Sequence, residues 1–417
     1  HTVARVDNDA AGREFHTRAC LSCLDDGDKM VKNGVTPVAG KTYFEGFHGK
    51  NVSLGYPEKV AGCADCHSSH GVFSADDPRS TVHEDNRTQT CAKCHGGATE
   101  SFAKYDPHAD DHDRSKNATL YWTRIAMTTL LVVTFLFFWI HSILWALRAF
   151  IERRAKAAAG ISAHRAAKRS YRRFTPTQIA LHLVVVMSFL TLAFTGLPLK
   201  FASTGWGKSL MGFIGGPQTA RHLHHAAAIV TFGYFVTALV MSFRFLFRPA
   251  RPGGTWWSRL TGPDSLFPVR RDWTDMKAMF KWFFFKGPKP TFERWTYWEK
   301  FDFLAVFWGM FAIGLSGLLL WFPEATAHFV PGWMFNVATI VHSDEALLAT
   351  GFIFTVHFFN THFRPEKFPM DTVIFDGRVS DHEMQEERGD QLERLKKEGR
   401  LEELVVEEAP SLGWALA

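Results

Sequence analysis

The chain has 417 residues, a formal net charge of only +5 and a mean hydropathy of −0.09. That length leaves room for two or three domains, and the near-neutral average hides a polar front and tail around a strongly apolar middle rich in Phe and Trp. The basic residues gather in loops beside apolar runs, which argues against nucleic acid as a partner.

Residues 1–115 read as a soluble segment, rich in Gly, Asp and His and poor in aliphatic runs. All six cysteines fall here, as three C-x-x-C pairs: Cys20/Cys23, Cys63/Cys66 and Cys91/Cys94. Two pairs run on into histidine, as CADCH (Cys63 to His67) and CAKCH (Cys91 to His95). C-x-x-C-H is the attachment signature of c-type haem, with the two thiols bonded to the haem and the His beneath its iron. A zinc ribbon also uses two C-x-x-C pairs but does not require His after both. The first pair is followed by Leu24, so it reads either as a third covalent haem with a displaced ligand or as a disulfide in an oxidising compartment. Candidate ligands for the far sides of the irons are His16, His48, His70, His83, His108 and His112, each of which alone would pass for a solvated surface histidine. The expectation is a haem-packed, loop-rich multihaem domain with two to three haem c. Such haems are attached outside the bacterial cytoplasmic membrane, so the segment is expected in the periplasm. No apolar signal region follows His1, which places the export signal upstream of the sequence.

Residues 116–365 carry five apolar runs, expected to span a membrane at about 120–147, 177–199, 222–247, 301–322 and 336–361. The loop after the first holds Arg148, Arg153, Arg154, Lys156, Arg165, Lys168, Arg169, Arg172 and Arg173, which makes it cytoplasmic by the positive-inside rule. The second span carries His182. A glycine-rich loop from Gly205 to Gly216 leads to the third span, which opens on RHLHH with His222, His224 and His225. The loop from Arg248 to Lys300 contains an aromatic amphipathic piece, Trp273 to Phe285, expected in the interface. The fourth span has no His, and the loop after it has Glu324 but no Lys or Arg. The fifth span holds His342 and His357; fifteen residues of helix rise about 22 Å and turn by about 60°, so both rings share one face near opposite sides of the hydrocarbon. Residues 366–417 form a charged cytoplasmic tail whose stretch from Asp381 to Glu408 reads as a solvated or partner-facing helix.

Alternating spans put His182 level with His357, and His342 level with the histidines that open the third span. Histidines matched in depth across three helices suit two b haems, each held between facing helices. Residues 174 to 362 resemble the cytochrome b subunits of formate dehydrogenase and thiosulfate reductase type. The similarity rests on RRFTPTQIALH before His182, GGPQTARHLH ending at His224, YWEKFDF at the start of the fourth span, and the two-histidine last helix. The resemblance implies an inner haem on His182 and His357, and an outer haem on His224 and His342. It also implies a quinone site near the cytoplasmic face and a periplasmic redox partner. The front segment, with FHGK, CADCHSSH and PHADDHD, is similar to the multihaem c domains of b/c-type quinone oxidoreductases. The departures are Leu24 and the first span with its His141, which the four-span relatives lack.

The fold class expected is all-α: a five-helix transmembrane dihaem cytochrome b bundle behind the multihaem domain, in a bacterial inner membrane. The function expected is electron transfer between a menaquinone or ubiquinone pool and c-type haems, with His141, Asn360 and His362 converging on the quinone. Partners are the bilayer, the quinone pool and a periplasmic redox protein or multihaem cytochrome. Two alternatives are an electron-relaying membrane anchor among further respiratory subunits, and a metal-binding sensor on a membrane stem.

Overall fold

The computed structural model describes residues 10–24, 26–34, 38–159, 169–248 and 254–406. Five helices are long and apolar enough to cross a membrane: Ala118–Ala158, Pro176–Lys200, Pro217–Phe247, Tyr297–Trp321 and Trp333–Phe363. They coincide with the expected spans, most with a turn or so added. The first continues well past Leu147, where Arg148 and Glu152 form an i,i+4 ion pair at 2.8 Å in an alanine-rich stretch. Large apolar side chains such as Met187, Ile229, Val236, Phe243, Phe311 and Leu315 stay exposed along the spans, a surface that lipid would cover. The fifth span is α-helical to Phe352 and then π-helical over Ile353–His357 and Phe359–Phe363. Single π turns inside α-helices occur frequently at functional sites.

The chain forms two compact units. The first contains residues 1–132, 189–229 and 311–348. Its amino-terminal segment is a series of short helices, Ala10–Leu24, Gly27–Lys32, Ala39–Glu45, Phe47–Ser53, Cys63–His67 and Glu84–Ala92, joined by turns. This segment buries few large apolar side chains of its own and completes its core against the rest of the unit. Leu54 packs with Ala202, Met211 and Ala220, and Phe102 with Ala327 and Phe335. The glycine-rich stretch expected as a loop is instead the helix Gly205–Ile214. Thr204 caps it by accepting from Gly207 N–H at 3.2 Å, and Gly215 ends it at φ 96°, a conformation open to glycine. Counting glycines obscured the apolar face of Trp206, Leu210, Met211, Phe213 and Ile214.

The second unit contains residues 133–188, 230–310 and 349–417. The amphipathic piece is the helix Arg270–Phe283, and it buries Met279, Trp282 and Phe283 against Trp145, Ala149, Phe292 and Trp298. The charged tail is not a solvated helix. It folds back as Asp381–Glu387 and Gly389–Lys397, and buries Met384, Leu392 and Leu395 with Tyr171, Val373 and Val379. Each such side chain contributes roughly 1.5–3 kcal/mol on burial. A three-stranded antiparallel sheet departs from the all-α expectation: β1 (Ser170–Arg172) lies between β2 (Arg378–Ser380) and β3 (Val405–Val406).

Ion pairs seal this unit. Glu299 accepts from Arg173 at 2.8 Å and from Arg388 at 3.1 Å, and Glu387 accepts from Arg364 at 2.6 Å. Burial opposes ionisation of Glu387, but Arg364, Lys367 and Arg388 outweigh it and hold the carboxyl down at about 2, against an ordinary 4.5. A depressed acid stabilises the fold above its unfolded pKa and loses that contribution as the pH falls toward the folded one. Glu387→Gln should therefore lower stability near neutral pH by about 3–5 kcal/mol. Thermal unfolding in detergent, followed by circular dichroism, should show the gap between variant and wild type closing from pH 4.5 down to about 2.

Candidate haem-binding sites

Four pairs of histidines face each other in the same way. Ring centres are 6.5 Å apart for His182 and His357, 6.2 Å for His224 and His342, 6.4 Å for His48 and His95, and 6.2 Å for His67 and His108. With imidazole–metal bonds of about 2 Å, two rings on opposite sides of one metal ion have centres roughly 6 Å apart. The gaps are too wide for the rings to touch and match one interposed iron. The first pair belongs to the second unit and the other three to the first.

The far nitrogen of five of these eight rings is anchored, which sets the tautomer and leaves Nε2 free to act as a ligand. His224 Nδ1 donates to Thr195 Oγ1 at 2.9 Å, and His342 Nδ1 to the Ile313 carbonyl at 3.0 Å. His357 Nδ1 faces Asp302 Oδ2 at 3.3 Å, His108 Nδ1 faces Thr42 Oγ1 at 3.1 Å, and His95 Nδ1 faces Glu324 Oε1 at 2.9 Å. His182 Nδ1 is buried and has no hydrogen-bond partner among the described residues. Glycines lie against two of the rings: a Cβ on Gly317 would come within 3.1 Å of His342, and one on Gly196 within 3.4 Å of His224. Among the rings outside the spans, burial lowers His48, His67 and His108 below the ordinary imidazole pKa, which favours the neutral form that binds iron. The donor set, the spacing and the anchoring fit haem iron at all four places.

The two C-x-x-C-H motifs fold locally in a way that suits covalent attachment. Cys63 to His67 form one helical turn, and His95 N–H donates to the Cys91 carbonyl at 2.9 Å. The six thiols are not alike in their surroundings. Cys20, Cys63, Cys66 and Cys91 are half-buried, whereas Cys23 and Cys94 are exposed. Cys94 thus differs from the enclosed position that a cofactor-binding thiol usually takes. The reason is local: Glu84–Ala92 ends two residues before it, and the turn that follows, closed by Cys94 N–H donating to the Cys91 carbonyl at 3.2 Å, leaves its side chain at the surface.

Among the described residues no grouping of three metal-binding side chains includes a cysteine. The one such grouping found there is Asp110, Asp111 and His112 at the surface. Cys20 and Cys23 lie on Ala10–Leu24 unbridged, with Cys20 beside the Cys63 thiol. The His16 side chain lies outside the described residues. The remaining candidates face no second histidine among the described residues. His70 is exposed beside Ser69, His83 caps Glu84–Ala92, and His112 pairs with Asp111. The three histidines opening the third span also separate: His224 faces His342, His225 stacks on Trp321 at 4.0 Å, and His222 is exposed.

Among the described residues no hydrogen bond or ring contact joins His141, Asn360 and His362. His141 is 3% exposed, hydrogen-bonds the Tyr297 hydroxyl, and lies among Trp145, Phe280 and Phe283. Asn360 keeps a buried, unpartnered Oδ1, and His362 meets the edge of Phe358. The anchors Thr42, Thr195 and Asp302 were not singled out from the sequence, and Glu324 was noted there only as the acid of a loop without cations. Asp302 did carry a signal, as a carboxylate just inside an apolar span.

Residues 173–364 match the family model of prokaryotic cytochrome b561, a stretch that contains the last four spans and His182, His224, His342 and His357. No curated protein matches the chain. The match supports a b-type cytochrome part, membrane electron transfer through b haems, and a bacterial membrane protein. Thr195→Val keeps the shape of the side chain and removes the acceptor for His224 Nδ1. Losing such a partner typically costs about 10–100-fold in affinity at a metal site. The pyridine haemochrome spectrum of the washed variant should show one b haem weakened and the other retained.

Proposed function

We propose that this protein carries electrons between a quinone pool and covalent c haems, through an inner b haem on His182 and His357 and an outer one on His224 and His342. The observation that carries the proposal is the repeated histidine pairing, whose ring-centre separations all lie between 6.2 and 6.5 Å. His95 and His67 are the proximal c-type ligands in this reading, opposite His48 and His108. Cys63 and Cys66 attach one haem, and Cys91 and Cys94 the other. Cys20 and Cys23 offer a third attachment place, with a ligand other than the missing adjacent histidine. Iron held between two neutral imidazoles exchanges an electron with little rearrangement, so the residues around each ring set its potential. The basic loop after the first span supports an orientation with the amino-terminal segment in the periplasm and the tail in the cytoplasm.

A quinol gives up protons with its electrons and needs a polar group to receive a hydrogen bond at its site. The region of His182 and His357 supplies unpartnered buried acceptors for this: Asp302 Oδ1 and Asn360 Oδ1. Asn360 is therefore the better candidate of the original three. His141 already has its hydrogen bond to Tyr297 within an aromatic cluster, and His362 is only edge-on to Phe358.

Alanine at His182 or His357 should remove one b haem and abolish reduction of the c haems by quinol. Alanine at His224 or His342 should leave the inner haem reducible by quinol and stop electrons there. Stopped-flow spectra at b and c wavelengths distinguish the two results, and mass spectrometry of the three cysteine-pair peptides counts the covalent haems. A variant in either pair that kept both b haems would break the assignment.

Asn360→Leu should keep both b haems and slow quinol oxidation by roughly tenfold, the value of about one hydrogen bond. His141→Phe should leave that rate within about twofold and destabilise the fold by about 1–3 kcal/mol, because the Tyr297 hydroxyl loses its partner. A severe kinetic defect in His141→Phe with stability intact would move the quinone site to His141.

A further inference from the structure

The loop between the fourth and fifth spans is bound tightly to the amino-terminal segment of the same unit. Ser101 Oγ donates to the Val330 carbonyl at 3.1 Å, and Gly332 N–H donates to the Ser101 carbonyl at 2.7 Å. Asp106 and Asn336 exchange two bonds, Asp106 N–H to Asn336 Oδ1 at 3.2 Å and Asn336 Nδ2 to the Asp106 carbonyl at 2.8 Å. Gly332 lies so close to the Phe102 carbonyl and the Tyr105 amide that no Cβ fits there. Phe102 packs with Ala327 and Phe335, and its ring centre lies 4.9 Å from that of His95. From this platform Glu324 reaches His95 Nδ1 at 2.9 Å, and Gly97 keeps the approach open, since a Cβ there would stand 3.1 Å from Glu324 Cβ.

The comparable bond in the other c-type pair differs in charge. His108 Nδ1 meets the neutral hydroxyl of Thr42, whereas His95 meets a carboxylate. A carboxylate that draws on the Nδ1 proton makes the ring a more basic ligand and favours ferric over ferrous iron.

We propose that Glu324 is the positioning residue of the His48/His95 site: it orients His95 with Nε2 toward the gap and lends it negative charge. The site is thus completed by a loop of the membrane part, and its potential lies below the value that a neutral partner would give. This rests on the reading of His95 as a c-type haem ligand.

The experiment is a spectroelectrochemical titration of the intact, haem-loaded protein carrying Glu324→Gln, Glu324→Ala or Glu324→Asp. Gln has the size of Glu and can still accept the bond, so a residue that merely clips two segments together survives that change. The expected result for Gln and Ala is a full haem complement and b transitions in place. A single c-type transition moves upward by about a tenfold change in its reduction equilibrium, or 59 mV for one electron. Asp, which keeps the charge, should leave that transition near the wild-type position. Unmoved c-type transitions in the Gln protein, or an Asp protein shifted as far as Gln, would overturn the proposal. Mass spectrometry of the wild-type Cys91 to His95 peptide separates the two levels. No haem there refutes the underlying reading, and haem there with unmoved potentials refutes only the role of Glu324.

Discussion

Two imidazoles that must face one another across the width of an iron atom, without closing on each other, impose a demanding constraint on a protein. Each ring has to be neutral and correctly rotated, and a hydrogen bond at its far nitrogen helps to hold it there. Here the holding groups come from neighbouring elements: Thr195 for His224, the Ile313 carbonyl for His342, and Asp302 for His357. Rigid helices supply most of the positioning, and small residues such as Gly196 and Gly317 keep the space beside the rings clear. In an apolar bundle a polar group without a partner is costly. The anchors therefore satisfy the rings at the same time as they orient them.

The same constraint bears differently on the amino-terminal segment. Its helices are short, and isolated helices of that length are marginal in water. Its buried groups include Thr17, Thr42, Asn51 and Ser80 as well as a few apolar side chains. Stability therefore has to come from outside the segment, and part of it comes from the loop around Glu324 to Gly332 and from the cluster of Leu54 with Ala202, Met211 and Ala220.

In the other unit, charge rather than apolar area makes the tail part of the fold. Arg173, Arg364, Arg388 and Arg394 are paired with Glu299, Glu387 and Glu293, and the acids close this network from both the loops and the tail. Removing one member strands a buried charge, so the network constrains the tail more strongly than its high polarity suggests.

The spans were legible in the sequence because long apolar runs have one stable form in a membrane, the helix. The two C-x-x-C-H motifs were legible because their pattern is local, confined to five adjacent residues. The pairing of His182 with His357 followed from depth alone, since alternating spans leave few choices. Other features depended on side-chain direction, which spacing does not carry. That Cys94 lies open while Cys91 is half-buried is one of these, because the helix Glu84–Ala92 includes Cys91 and ends before Cys94. Spacing did not separate His222, His224 and His225; the resemblance pointed to His224, whose ring faces His342 in the structure. His48 and His108 stand out from their neighbours only because turns far apart in the chain bring them opposite His95 and His67. The tail misled for a related reason: Leu392 and Leu395 make one apolar stripe, too narrow to stand out within a run of charges until the sheet and the arginine pairs supply a surface for it. Glu324 is the clearest case, a lone loop acid in the sequence whose bond to His95 exists only because the fold joins residues from opposite ends of the chain.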